Sequence, residues 1–121
     1  MIEYKLGEVE AKFADLIWEN EPIPSGELVT LAADALVWKK STTYTVLRKL
    51  CEKGFFVNEN GAVSALVSKE EYMSMHSERF LEESFSGSLP KFIASFTKRK
   101  KLSDSEIAEI QTLIDNYKGE K

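Results

Sequence analysis

One β-hairpin that follows three helical segments narrows the choice of fold for this chain more than any other pattern in its sequence. Asn60-Gly61 lies between two short β-prone runs, Phe55–Val57 and Ala62–Val67. Asn-Gly is the dipeptide most typical of tight hairpin turns. Upstream of it, apolar residues recur at helical spacing, and two nearby prolines separate the first helical segment from the second. The order helix, helix, helix, hairpin predicts a winged helix-turn-helix.

Three amphipathic helices are predicted before the hairpin. The first covers residues 8–18, and Ser25 caps the second. Ser41 or Thr42 caps the third helix, which ends just before Gly54. At about 100° per residue, one side of the third helix is apolar, and the opposite side carries hydroxyl, aromatic and cationic groups. The apolar side consists of Thr43, Val46, Leu47 and Leu50.

Residues 68–121 are predicted to form three further helices. Capping boxes at Ser68 and Ser103 open two of them, and Ser86-Gly87-Ser88 interrupts the chain between the first and the second. This part is rich in phenylalanine but too short to bury its apolar faces comfortably alone. These apolar faces are most simply buried against a second copy of the chain, so we predict a two-fold homodimer. The predicted dimerisation residues are Phe80, Phe85, Leu89, Phe92, Ile93, Phe96, Ile107, Ile110, Leu113 and Ile114.

The predicted fold is mainly α with a small β-hairpin. A winged helix-turn-helix domain would occupy residues 1–67, and a three-helix dimerisation domain would occupy residues 68–121. Met1–Lys5 lacks the basic and apolar pattern of a leader, and no apolar run reaches the roughly 18 residues that span a membrane. We therefore expect a cytoplasmic protein without membrane insertion.

The sequence contains few of the residues that catalytic and metal sites commonly use. The sequence has one cysteine, Cys51, and one histidine, His76. Glu70-Glu71 and Glu82-Glu83 are paired carboxylates, but no nucleophile, glycine-rich loop or second carboxylate cluster converges with them. Neither an enzyme nor a cofactor nor a metal site is therefore expected. A redox role for Cys51 and a metal-ligating role for His76 stand as alternatives to packing and surface roles.

The charge of the chain is unevenly distributed. The net charge of −4 argues mildly against a nucleic-acid partner. However, residues 38–54 carry five basic residues and one acidic residue, whereas residues 1–37 carry two basic and eight acidic residues. The second helix of a helix-turn-helix presents its N-terminal residues to DNA, and helix N-termini favour phosphate. We predict double-stranded DNA as the partner, although an ordinary solvated helix face is the alternative. The predicted DNA-binding residues are Lys39, Lys40, Ser41, Thr42, Tyr44, Thr45, Arg48 and Lys49.

Several sequence segments occur in a specific order along the chain. The first are Leu6-Gly7-Glu8-Val9-Glu10 and the run from Ser41 to Leu50. The most specific segments lie downstream and are Phe85-Ser86-Gly87-Ser88-Leu89, Ala94-Ser95-Phe96 and Lys101-Leu102-Ser103-Asp104-Ser105-Glu106-Ile107. Together these segments resemble the penicillinase-repressor and methicillin-resistance-repressor family of bacterial winged-helix transcription regulators.

This resemblance implies a homodimeric repressor that sits on an inverted-repeat operator through the helix Ser41–Lys53. In the β-lactam branch of the family, a membrane sensor signals and the repressor is then cut in its dimerisation domain. The matching bond here joins Ser95 and Phe96, where Ser95 replaces the usual Asn. The copper branch ends in a cysteine-rich tail, whereas this sequence ends Tyr117-Lys118-Gly119-Glu120-Lys121, so copper sensing by that route is not expected. The predicted wing is short and carries Glu59. A winged-helix protein-interaction module that does not bind DNA is the alternative function.

Overall fold

The order of elements follows the predicted winged helix-turn-helix. The computed structural model describes residues 5–119. Residues 1–4 and 120–121 lie outside the described range. The predicted absence of a leader rested on residues 1–5, most of which are therefore not described. The elements are α1 (Glu8–Asn20), β1 (Ile23–Pro24), α2 (Ser25–Leu36), α3 (Lys40–Glu52), β2 (Phe56–Glu59), β3 (Ala62–Ala65), α4 (Lys69–Phe85), α5 (Leu89–Phe96) and α6 (Asp104–Lys118). Within residues 5–119, no helix is both long enough and apolar enough to cross a membrane.

A closed apolar core forms where the first three helices meet the hairpin. The stripe of α1 contributes Phe13 and Ile17, and both side chains are fully buried. Leu28 of α2 and Leu50 of α3 meet them in the same cluster, together with Phe55 just before β2. The predicted inner side of α3 is confirmed, because Thr43, Leu47 and Leu50 are its buried residues.

The hairpin turns as the Asn-Gly dipeptide predicts. Asn60 and Gly61 have φ values of 53° and 85°, and Glu59 pairs with Ala62 on either side of them. Two consecutive residues at positive φ are the requirement of a two-residue type I′ turn, which asparagine and glycine meet at low cost.

A third strand completes the sheet and was not predicted from the sequence. β1 pairs antiparallel with β3, giving the strand order β1-β3-β2. The backbone N–H of Ser25 donates to the carbonyl of Gly61 at 2.8 Å, so the start of α2 is tied to the tip of the wing. With only two residues, one of them proline, β1 gives no periodic signal.

The predicted caps of α2 and α3 are wrong by one residue and by two or three residues, respectively. The N-caps are Pro24 and Lys39, neither with a side-chain capping bond, so Ser25 and Ser41 lie inside the first turns. α3 therefore covers Lys40–Glu52 rather than Ser41–Lys53. Ser25 uses its hydroxyl on Tyr44 of α3, and the Lys39 carbonyl already accepts the Thr43 N–H at 3.0 Å, so α3 begins before Ser41. The hydroxyls of the first turn of α3 are thus not used as caps.

The beginning of α4 packs on the winged part of the chain. The capping box is confirmed, since Glu71 N–H donates to the Ser68 hydroxyl at 3.0 Å and Ser68 N–H donates to the Glu71 carboxylate. Tyr72 is buried and its ring contacts those of Trp18 and Phe55. The chain divides into two compact units between Arg79 and Phe80. The functional division at residues 67 and 68 stays a prediction.

The C-terminal unit contains the end of α4 together with α5 and α6. Ser86 and Gly87 take positive φ values of 50° and 79° and separate α4 from α5 as predicted. Ser103 and Glu106 form the second predicted capping box. The phenylalanine rings at positions 80, 85, 92 and 96 form a chain of ring contacts with centroids 5.5–6.0 Å apart. Nevertheless, neither α5 nor α6 has a buried residue.

Candidate nucleic-acid interface

The outer face of α3 is a strip of polar and cationic side chains. Ser41, Thr42, Thr45, Arg48 and Lys49 are exposed, and Tyr44 is half-buried. The two lysines that precede and open the helix, at positions 39 and 40, are exposed as well. The structure therefore brings all eight predicted DNA-binding residues onto one helix and its N-cap.

The first turn of α3 presents unpaired backbone donors to solvent. No acidic residue lies in this turn, and no side chain caps it. Uncapped N–H groups and two adjacent lysines together attract anions such as phosphate. Thr45 donates its hydroxyl to the Ser41 carbonyl at 2.9 Å, which leaves its oxygen as an acceptor on the exposed face.

Two cations, Lys49 of α3 and its C-cap Lys53, lie on the side toward α1 and differ in their availability for DNA. Lys53 forms an ion pair with Glu10 at 3.3 Å. The pKa of Glu10 is lowered, first because its carboxylate accepts the Gly7 N–H and then because Lys53 and Lys49 lie nearby. Lys53 therefore holds α3 against α1, whereas Lys49 stays exposed beside the pair.

Tyr44 joins the two helices of the helix-turn-helix. Its hydroxyl lies 3.0 Å from the hydroxyl of Ser25 at the start of α2. The Ser25 N–H also donates to the carbonyl of Gly61. Ser25 therefore links α3, α2 and the tip of the wing. Helical spacing predicts Tyr44 on the polar face but not this bond, because spacing within one helix says nothing about a hydroxyl on another.

A groove separates α3 from the hairpin on the side away from α1. Tyr44 and Arg48 line it from the helix, and Asn58 lines it from β2. Asn58 is not among the residues predicted from the sequence to bind DNA. The signal that could have identified it is strand alternation, which places Asn58 on the same face as the buried Phe56.

Cys51 and His76 occupy packing and surface positions. Cys51 lies half-buried in the floor of the groove, and burial raises the pKa of its thiol, with the Glu52 charge adding to this. His76 is exposed and stacks on Tyr72 with ring centroids 5.7 Å apart. Within residues 5–119, no three histidine, cysteine, aspartate or glutamate side chains lie together as a metal site would need.

The predicted dimerisation residues form incompletely covered apolar faces within the C-terminal unit. Leu113 is 68% exposed, and Phe80, Leu89, Phe96, Ile107 and Ile114 are between 44% and 53% exposed. The other four, Phe85, Phe92, Ile93 and Ile110, are half-buried. Ser95 and Phe96, at the predicted cleavage point, end α5 and are both exposed.

Comparisons with known proteins agree with this architecture. The family model described as penicillinase repressor matches residues 6–116. The chain is 23% identical to the penicillinase repressor of Bacillus licheniformis over 121 residues, which covers 97% of this chain and 94% of that protein. It is 20% identical over 116 residues to the methicillin resistance regulatory protein MecI of Staphylococcus epidermidis, covering 93% and 94% of the two chains. The chain therefore belongs to the penicillinase repressor family, a family of transcriptional repressors and not of enzymes.

Proposed function

We propose that this protein represses transcription as a homodimer that binds an inverted-repeat DNA operator through α3. The observation that carries the proposal is the outer face of α3, where hydroxyls and cations surround an uncapped helix N-terminus. Such a face suits the major groove, because N-terminal residues of a recognition helix reach base edges while lysines and backbone N–H groups hold phosphates.

The residues of the interface divide by their position along the helix. Lys39 and Lys40 precede or open the first turn and are suited to phosphate oxygens. Ser41, Thr42 and Thr45 are short hydroxyl side chains on the exposed side, where they can hydrogen-bond to base edges. In a two-fold dimer, the two copies of α3 would lie roughly 34–36 Å apart, one turn of DNA.

The exposed apolar faces of α5 and α6 support the homodimer. A monomer in water would leave Leu113 and Ile107 more than half exposed. Since contiguous apolar surface of this kind marks interaction sites, and the unit is too small to cover it alone, a second copy is the partner we propose.

A membrane sensor protease is the proposed upstream partner, acting at the bond between Ser95 and Phe96. That bond lies in the last turn of α5, which would have to unwind locally to enter a protease. A cut there would separate α6 from α5 and divide the proposed dimer surface. Mass spectrometry of the protein from induced cells checks this part, and a chain that stays intact under every inducing condition overturns it.

The DNA claim is tested by fluorescence anisotropy with the duplex upstream of the protein's own gene, over a series of salt concentrations. The double variant Lys39→Ala, Lys40→Ala removes two proposed phosphate ligands per subunit. The slope of log K against log salt should therefore become shallower by roughly 0.9 for each phosphate that is no longer neutralised. Lys12→Ala is the matched control, because it removes the same type of charge from the exposed side of α1.

The second candidate is a protein-interaction module with a winged-helix shape. The acidic first turn of α1 and the exposed Glu59 in the wing favour it, because both would repel phosphate. Absence of salt-sensitive binding to any duplex, with a folded dimer still present, would decide for this module and against the repressor.

A further inference from the structure

We propose that Arg48 and Asn58 together hold one backbone phosphate of the bound duplex, at the mouth of the groove between α3 and the wing. This inference rests on the proposed function and refines it. It adds Asn58 to the DNA-contacting residues and assigns Arg48 to the backbone rather than to a base.

The hairpin register brings Asn58 to this position. Asn58 pairs with Val63 and Phe56 pairs with Ala65, so these four side chains share one face of the hairpin. Phe56 and Val63 are buried, which identifies the face that turns toward the helices. Asn58 continues the same face but is exposed, because it lies at the rim of the groove and not in its floor.

Arg48 reaches the same groove from the opposite wall. It lines the groove with Tyr44, one helical turn earlier, and its side chain is exposed. Among residues 5–119, neither the Arg48 guanidinium nor the Asn58 amide has a hydrogen-bond or ion-pair partner. The groove therefore presents a charged planar donor and an amide donor, one on each wall, over a floor formed by Leu47, Cys51 and Phe56.

The position of Arg48 along α3 favours phosphate over a base edge. Arg48 lies eight residues after Lys40, which is about 12 Å along the helix axis at 1.5 Å per residue. The major groove is itself only about 12 Å wide. If Lys40 holds the backbone on one side of the major groove, Arg48 lies at about the distance of the backbone on the other side, and a guanidinium is well matched to phosphate oxygens.

Tyr44 has a different part in this arrangement. Its hydroxyl is already bonded to Ser25, so it forms a wall of the groove and fixes α3 against α2. The phosphate donors are thus Arg48 and Asn58, the two side chains that line this groove with N–H groups and have no partner within the described part of the chain. Glu59, next to Asn58 in the sequence, belongs to the other face of β2 by strand alternation.

The experiment measures the affinity of the full-length protein for its operator duplex and for a scrambled duplex, at several salt concentrations. The variants are Arg48→Ala and Asn58→Ala, with Ser64→Ala as control on the outer face of the same hairpin. Arg48→Ala should weaken binding to both duplexes by a similar factor, roughly tenfold, and should reduce the salt slope by about 0.9 per subunit. Asn58→Ala should weaken both in parallel by a smaller factor, and Ser64→Ala should change neither.

A second measurement identifies the phosphate itself. Operator duplexes that carry one neutral methylphosphonate at a time should include one position at which Arg48→Ala and Asn58→Ala cause no additional decrease in affinity. The inference is overturned if Arg48→Ala instead relaxes the preference at one base pair with an unchanged salt slope. It is also overturned if Asn58→Ala behaves like Ser64→Ala. Failure of the unaltered protein to bind any duplex would instead refute the proposed function itself.

Discussion

The two compact units of this chain use the same kind of amphipathic helix with opposite results. In the N-terminal unit, the stripe residues Phe13, Ile17 and Leu28 are 0% exposed. In the C-terminal unit, equally regular stripes on α5 and α6 leave Phe96 44% exposed and Leu113 68% exposed. The difference shows that hydrophobic periodicity identifies the apolar face of a helix. It does not show whether other elements of the same chain pack on that face.

The number of elements around each stripe explains the difference. In the N-terminal unit, three helices, a three-stranded sheet and the start of α4 enclose one cluster of side chains. The C-terminal unit has two whole helices and part of a third, and so little chain buries too small a fraction of its surface. We expect the first unit to owe its stability to its own core, and the second to association.

The largest effect should come from emptying the core of the N-terminal unit. Phe55 is fully buried and its ring contacts Phe56 and Tyr72. Phe55→Ala should lower the free energy of unfolding by about 3–5 kcal/mol, because it removes apolar burial and leaves a cavity. Urea unfolding followed by tryptophan fluorescence measures this unit specifically, since both tryptophans of the sequence, Trp18 and Trp38, belong to it.

The matched control for this change is Leu66→Ala, an apolar truncation at a side chain that is 60% exposed. It should alter the unfolding free energy by no more than about 0.5 kcal/mol. Equal decreases for Phe55→Ala and Leu66→Ala would contradict a closed core.

A charge introduced on the exposed apolar stripe of α6 should weaken dimer association rather than lower the stability of the N-terminal unit. Leu113→Lys should weaken the dimer by about 2 kcal/mol or more, because an ammonium group would be buried in the proposed apolar interface. Sedimentation equilibrium measures the change. Thr112→Lys is the control, since Thr112 is exposed and lies on the polar side of α6. Dimers of equal strength in both variants would show that the stripe is not the interface.

The parts of the fold with a local cause were predictable from the sequence. The Asn60-Gly61 turn, the capping boxes at Ser68 and Ser103, and the break at Ser86-Gly87 each depend on a few adjacent residues. Their torsion angles and hydrogen bonds are those that these residue types favour. The inner face of α3 was predictable for the same reason, because helical periodicity is local.

The parts that depend on distant partners were not predictable. β1 exists because Ile23 and Pro24 meet β3, and Ser25 lies inside a helix while its hydroxyl meets Tyr44 from α3. The same limit applies to the candidate site. Its helix face could be read from spacing, but the placement of Asn58 on the same groove as Arg48 required the register of the hairpin.

A smaller effect is expected where the N-terminal unit carries backbone strain outside its core. Val37 follows α2 at φ 57° and ψ 39°, and its side chain is 87% exposed. A β-branched residue is unfavourable in this left-handed conformation, where glycine is usual after a helix. Val37→Gly should therefore raise the free energy of unfolding by about 1 kcal/mol.

The control is Ala35→Gly, at an exposed position within α2, which should lower the free energy of unfolding by a similar amount. The same urea unfolding measurement checks both, and a lower stability for Val37→Gly would contradict the strain.

The smallest expected effect is on the pH dependence of unfolding, and it concerns the N-terminal unit alone. The pKa of Glu10 is lowered in the folded protein, because the carboxylate accepts the Gly7 N–H and pairs with Lys53. Its stabilising contribution is therefore fully present above the ordinary glutamate pKa of the unfolded chain and is lost as the pH falls through the lower folded pKa. For an ion pair whose side chains are each 21% exposed, we expect about 1 kcal/mol or less. Glu10→Gln should flatten the acid limb of the unfolding curve that tryptophan fluorescence records, whereas Glu8→Gln, exposed in the same turn, should not. The dimer dissociation constant should not change with either substitution, because Glu10 belongs to the unit whose core is already closed.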